Sequence, residues 1–459
     1  MATSSLRFIR RCAWAPPAAL AAACWLPLPL AGLSSPTAPQ EPEGATTPPA
    51  MQGGEPEPDT MIAPPVPGST LSVHLLTMEP GDRVWEVFGH NALVVRDSET
   101  GFEAAYNYGI FDQFSAGFYP RFLKGRMMYM VRAQRLHAML SYYRDHNRRV
   151  WAQELDLEPA RKVRLAQLLA TAVLPENYLY PYQYYLNNCS TKLRDALDTV
   201  LDGALRAATD GKPTGATWRE HTRRLTATHP LGYLGIDLVL GPKGDELTNR
   251  WQEMWVPMKL RDTAGALLLT RADGSRTPLV RSEEVWVDSN REQEPVAAPS
   301  LTPLFLLVGL ATALVLTFFG YGAAAGSAPS RFALGLCGLL WGGFCFVAGA
   351  TMIVMHWTDH EFMYWNQSVL LFSPLGAGVA AGLLRVVRKG RTGLWGRRFV
   401  LGSLVLALAA LILNLIPATM SGNREMIAFA LPVHLSLCWV MLGIHRMEHA
   451  LVYGDSVSG

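Results

Sequence analysis

Two kinds of hydrophobic pattern divide the 459-residue chain near residue 300. From residue 70, apolar and polar positions alternate in short runs, "STLSVHLLTM", "HNALVVRD" and "FEAAYNYGIF", separated by "EPGDR" and "DSETG". A period of two between turn residues predicts half-buried strands. Helical spacing takes over at 135–150, 160–174 and 191–208, so residues 69–262 read as an α+β domain, followed by a small strand-rich connector over 263–299. Beyond it the pattern turns into long apolar runs near 302–322, 332–355, 367–385, 399–418 and 425–444. Each is close to the length of about 20 residues that crosses a hydrocarbon core. They predict an all-α membrane domain of five transmembrane helices over 300–446 and a cytoplasmic tail over 447–459.

Charge gives this layout a direction. The loop after the third run, "RVVRKGRTGLWGRR", carries six arginines and lysines, and an excess of these residues marks the cytoplasmic side. Counting outward, "HWTDHEFMYWNQ" (356–367), "PATMSGNRE" (417–425) and everything before residue 302 face the exterior. At the other end Arg7, Arg10 and Arg11 precede an apolar stretch from Ala13 to Leu33, which makes residues 1–35 a signal peptide or signal anchor. Residues 36–68, rich in Pro, Glu, Thr and Gly, read as a disordered linker. The formal net charge of +2 argues against a nucleic-acid partner.

Six cysteines are present, and Cys189 is the only one in the exported stretch. In an oxidising compartment an unpaired cysteine suggests a reactive thiol, the alternative being a buried, inert small hydrophobe. "NNCSTKLRDAL" favours reactivity, because Asn and Ser/Thr before an amphipathic run place Cys189 at a helix N-terminus. Backbone N–H groups and the helix dipole there are expected to lower the thiol pKa from about 8.5 towards neutrality and to hold an oxyanion. Asn188 and Ser190 flank the thiol as candidate substrate-binding residues, with a cap as the other reading of Asn188. Among the histidines, His90 in "WEVFGHNALVVRD" follows a glycine and opens a strand, where its ring can be aimed as a base. His137 and His146 read as surface residues and His74 as a core residue.

The combination of "FGHNALVV", "YNYGIFD" and "YPYQYYLNNCSTKLRDAL" resembles the N-terminal extracytoplasmic domain of the bacterial lipoprotein N-acyltransferase family Lnb, from about residue 70 to 260, with "LGIDLVLGPKGD" as a further similar segment. The resemblance implies a circularly permuted cysteine enzyme of the NlpC and papain type, with Cys189 as nucleophile and His90 as general base. It implies a membrane-bound, cofactor-free acyltransferase in the bacterial cytoplasmic membrane, its catalytic domain outside. The donor would be a membrane glycerolipid and the acceptor the N-terminal amine of a lipoprotein. Asn107 in "YNYG" stands as a polar partner for His90 or as a turn residue before Gly109.

The exterior loop offers further candidates. His360 and Asn366, in "HWTDHEFMYWNQSVLLFSPL", are similar to a segment of the family's membrane domain and either line a substrate entry site or belong to an interfacial belt with Trp357, Tyr364 and Trp365. "HWTDH" also has the spacing H-x-x-D-H, one substitution from a zinc peptidase signature, which would make His356 and His360 metal ligands and Asp359 a base. A third reading directs Cys189 and His90 at cell-wall peptide as an amidopeptidase. The lipid-facing last third of the chain favours acyl transfer over the amidopeptidase, and the metallopeptidase is disfavoured by a short motif with Asp in place of Glu and no clear third ligand.

Overall fold

The computed structural model describes residues 66–454, apart from residues 272 and 417–420 and the side chains of 231 and 449–454. The expected signal segment, nearly all of the linker and the end of the tail lie outside the described residues. The strands are β1 (Leu71–Met78), β2 (His90–Asp97), β3 (Glu103–Ile110), β4 (Met127–Gln134), β5 (Val150–Leu155), β6 (Leu179–Tyr182), β7 (Pro213–Thr217), β8 (Leu247–Asn249), β9 (Leu268–Thr270), β10 (Arg276–Pro278) and β11 (Val280–Val287). Seven of them form one antiparallel sheet in the order β11-β5-β1-β2-β3-β4-β6. β11 comes from the stretch that reads in sequence as a connector, so that stretch closes one edge of the sheet.

Alternating side chains feed two apolar layers. Val73, Leu75, Leu93, Val95 and Tyr106 pack beneath the helices Pro159–Ala172 and Cys189–Val200, while Leu76, Ala92, Val94 and Ala105 pack against Leu136, Met139 and Tyr143 of the helix Leu136–Asp145. Covering both faces explains why "ALVV" in β2 is buried throughout. The helix carrying the thiol buries Leu193, Leu197 and Val200 completely. Each contributes on the order of 1.5–3 kcal/mol. The helical stretch expected to run to residue 208 breaks after Val200, where Asp202 and Gly203 adopt positive φ before a second helix, Ala204–Thr209.

The last third is helical, as its pattern requires, but the count of spans needs correction. Among the described residues four helices are long and apolar enough to cross a membrane: Thr302–Ala324, Ala328–Trp357, Leu394–Leu415 and Arg424–Glu448. The third apolar run is not a continuous helix. Residues Gln367–Leu370 make a 3-10 turn, the chain passes Pro374 in irregular form, and only Gly376–Lys389 is α-helical. Fourteen residues rise about 21 Å, too little to span alone. The irregular part is buried in protein, with Leu371 and Phe372 fully enclosed, and His434 Nε2 donates to Leu371 O at 2.8 Å. Such backbone is tolerated at membrane depth only when other helices satisfy it. The run is apolar because it packs inside the bundle.

The two domains are fastened together. Phe362 is completely buried among Tyr184, Tyr185, Trp218 and Trp255 of the α+β domain. Gly241 N donates to Phe362 O at 2.7 Å, and Lys243 pairs with Glu361 at 2.6 Å. On another side Tyr233 Oη and the backbone N–H of Leu301 both donate to the buried Glu425 carboxylate, at 3.0 Å.

Candidate active site

Cys189 is the first residue of its helix. Asn188 is the N-cap: its side-chain oxygen accepts from Thr191 N at 2.9 Å, and Thr191 Oγ1 accepts in return from Asn188 N at 2.8 Å. This reciprocal capping box pins the helix start. Asn188 Nδ2 donates to Trp255 O and Tyr184 O, and Ser190 Oγ donates to Met254 O at 2.6 Å. Both side chains are therefore committed to backbone partners. They hold the thiol's surroundings in place.

β2 and β3 bring the other groups to the thiol. Gly89, at φ 76°, turns the chain into β2, where a Cβ would meet Met78 O at 2.8 Å, so His90 emerges in fixed register opposite Met78. The next residue, Asn91, is fully buried, its side-chain amide donating to Thr77 Oγ1 at 2.8 Å, while its backbone N–H is directed at the Cys189 sulfur. In β3 the ladder to β4 slips between Tyr108 and Ile110, leaving Gly109 in a bulge at φ 90°. A Cβ there would stand 3.4 Å from the Cys189 Cβ, so the bulge lies directly against the thiol residue. Two residues earlier, Asn107 Oδ1 accepts from His90 Nε2 at 3.2 Å, and Asn107 Nδ2 donates to Gln134 Oε1 at 2.9 Å. Asn107 is thus a partner of His90, and the turn alternative falls away because the residue lies inside β3. With the ring proton on Nε2, Nδ1 keeps the lone pair.

Burial sets the protonation states. It pushes the Cys189 thiol up to about 11, against the lowering effect of the backbone N–H groups of Asn91, Ser190 and Cys189. Burial, then the charge of Arg148, holds His90 down at about 4 despite the Asn107 hydrogen bond. The helix start does pull the thiol downwards as expected, but desolvation of a side chain only 9% exposed outweighs it. At neutral pH the pair is a thiol and a neutral imidazole. Tyr180 and Tyr182 stand against Gly109 beside the sulfur, and burial raises both hydroxyls, keeping them protonated.

Arg148 is a residue the pattern conceals. "RDHNRRV" reads as a charged surface, yet Arg148 is buried, lies over the Tyr143 ring and donates from Nε to Glu79 O at 2.8 Å. Gln134, which orients Asn107, likewise leaves no signal beyond its place in a strand. A cavity of about 700 Å³ lined by Glu79, His221, Arg224, Glu253 and Glu294 lies elsewhere and includes neither Cys189 nor His90.

The loop candidates are drawn into the domain junction. His360 is buried, with Nε2 donating to Phe122 O at 2.9 Å, and burial lowers its pKa. Asn366 is buried, donates to Leu238 O at 2.8 Å and accepts from Ser368 N. These residues tie the loop to the α+β domain. His356 accepts from Trp365 N at 3.0 Å and Asp359 pairs with Arg126 at 2.8 Å. His356 lies in the turn Met355–Trp357 with both ring nitrogens on backbone partners, and His360 precedes the turn Glu361–Met363 with Nε2 on Phe122 O, an arrangement unlike the one-helix ligand pair of a zinc peptidase. Trp357 and Trp365 in the same loop are 78% and 77% exposed.

No curated protein and no solved structure matches the chain. Residues 64–224 match the family described as the Lnb N-terminal periplasmic domain, a region that opens before β1 and holds Cys189, His90 and Asn107, and it is followed here by helices fit to span a membrane.

Proposed function

We propose that the chain is a membrane-bound thiol acyltransferase of the cytoplasmic membrane, its α+β domain on the extracytoplasmic face, which moves an acyl chain from a glycerolipid to the N-terminal amine of a lipoprotein. The observations that carry this reading are a capped helix-start thiol that receives the backbone N–H of Asn91, and a histidine next to Asn91 in the same strand whose Nε2 is held by Asn107. The order of a histidine strand before a cysteine helix packed on the same sheet supports a circularly permuted NlpC or papain-type domain. The match to the Lnb periplasmic domain supports a lipoprotein acceptor.

Starting from neutral groups, His90 Nδ1 takes the Cys189 proton as the sulfur attacks the ester carbonyl. The carbonyl oxygen becomes an oxyanion held by the Asn91 and Ser190 N–H groups. Collapse breaks the ester C–O bond, the lyso-lipid oxygen takes the proton from His90, and the acyl chain remains on sulfur as a thioester. A neutral amine then attacks the thioester carbonyl and passes a proton to His90. Loss of the sulfur returns that proton to Cys189 and leaves an amide. Asn107 keeps the ring in one tautomer throughout.

The test is incubation of the purified protein, and of Cys189→Ser, with a diacyl phospholipid and a lipopeptide bearing a free N-terminal S-glyceryl cysteine. Mass spectrometry should find one acyl chain added to the peptide amine by the wild type alone. An unchanged amine with a folded wild type would overturn the acceptor, and cleavage of a wall peptide would move the same residues to an amidopeptidase.

A further inference from the structure

The excursion between β3 and β4 buries almost nothing of its own. Its short helix, Phe118–Leu123, has no buried residue, and Phe114, Tyr119, Phe122 and Leu123 face outwards, Phe114 at 82% exposure. Arg121, Lys124 and Arg126 are interleaved with them. Exposed aromatic side chains alternating with cations are the composition of an interfacial segment, apolar side chains reaching the acyl boundary and cations meeting headgroup phosphates.

Its position fits the same role. The excursion is joined to the loop that follows the span Ala328–Trp357: Asp359 N donates to Lys124 O at 2.8 Å, Arg126 pairs with Asp359, and His360 meets Phe122 O. Trp357 and Trp365 in that loop are exposed at the same junction. A row of rings then leads inwards. Phe122 stacks with Phe118, Phe118 with Phe111 at 5.9 Å, Phe111 with Tyr129 at 5.0 Å and Tyr129 with Tyr182 at 4.1 Å, and Tyr182 stands beside Cys189. The exposed lip and the thiol are thus the two ends of one aromatic path.

We propose that residues 111–126 form a lip that enters the outer lipid leaflet, with Phe114, Tyr119 and Leu123 among the acyl chains and Arg121 and Lys124 at the phosphates, and that the path from Phe118 to Tyr182 carries the lipid ester to Cys189. The second half rests on the acyltransferase reading, whereas insertion of the lip does not.

Insertion is tested on full-length Cys189→Ser protein in phospholipid nanodiscs, with 4-trifluoromethylphenylalanine placed at Phe114 and its fluorine resonance recorded. Nitroxides attached to lipid chains should broaden the signal, and a soluble paramagnetic agent should not. Broadening by the soluble agent alone, or by neither, would overturn the lip, the second result meaning that protein covers it. Delivery of the ester from the lip into the path is tested with the triple variant Phe114→Ser, Tyr119→Ser, Leu123→Ser. Consumption of a bilayer phospholipid should fall about tenfold or more, while that of a monomeric short-chain diacyl donor should stay within about twofold of wild type. Equal loss on both donors, or no loss on the bilayer, would overturn the path. Because the fluorine measurement uses an inactive protein, failure of the acyltransferase reading and failure of the lip are read separately.

Discussion

If Cys189 rests as a neutral thiol, its alkylation must follow a steep pH profile. The structure raises its pKa from the ordinary 9.0 to about 11, because burial opposes the charge more strongly than three backbone N–H groups favour it. At pH 7 roughly one molecule in ten thousand then carries a thiolate, about a hundredfold fewer than for a thiol at the ordinary value. The partner histidine, held at about 4, supplies no positive charge at that pH to alter the balance. The assay is treatment of the full-length protein with iodoacetamide between pH 5 and 10, with the Cys189 peptide quantified by mass spectrometry apart from those of Cys337, Cys345 and Cys438. The rate should climb about tenfold per pH unit and show no plateau below pH 9. A rate already level between pH 5 and 8 would mean a preformed thiolate and imidazolium pair, and would refute the argument that desolvation governs this site.

Three further outcomes follow from the same contacts. Asn188→Ala removes the capping box and the bond to Trp255 O and should cost about 1–2 kcal/mol, read as a lower midpoint of denaturant unfolding with unchanged slope. Phe362→Ala empties a fully enclosed ring site and should cost about 3–5 kcal/mol of contact between the domains, visible as new proteolytic cleavage in residues 356–366 while the sheet stays protected. His221 is held neutral by burial, with a pKa near 3 against an ordinary 6.5, so the unfolded chain binds its proton first. Stability should therefore fall as pH drops from 6.5 towards 3, by about 1.4 kcal/mol per unit from this residue, and His221→Phe should flatten that part of the profile.

Much of the α+β domain can be read from the chain. Period-two alternation locates β1, β2 and β3, the capping residues locate the Cys189 helix, and a glycine before His90 marks a strand start. Local signals suffice there because each feature depends on neighbours within a few residues. They fail where the deciding partner is remote. The partners of His360 and Asn366, Phe122 O and Leu238 O, lie more than a hundred residues away in sequence. Arg148 looks solvated until the Glu79 carbonyl and the Tyr143 ring close over it. The run at 367–385 has the hydropathy of a span, but hydropathy does not separate a segment facing lipid from one enclosed by other helices. The direction of the thiol pKa also depends on how deeply the helix start is packed, which a capping motif does not encode.

The way the two domains grip each other limits how the molecule can be rebuilt. The grip is spread over Phe362 and Glu361 in one loop and Glu425, which accepts from Tyr233, at the start of the last helix. A chimera spliced only at residue 300, joining this α+β domain to another helical anchor, would preserve the covalent link and lose nearly every contact that fixes the thiol's height above the bilayer. To be interchangeable, an anchor would have to bring its own matching loop and helix start, so the two parts are expected to travel between proteins as one module.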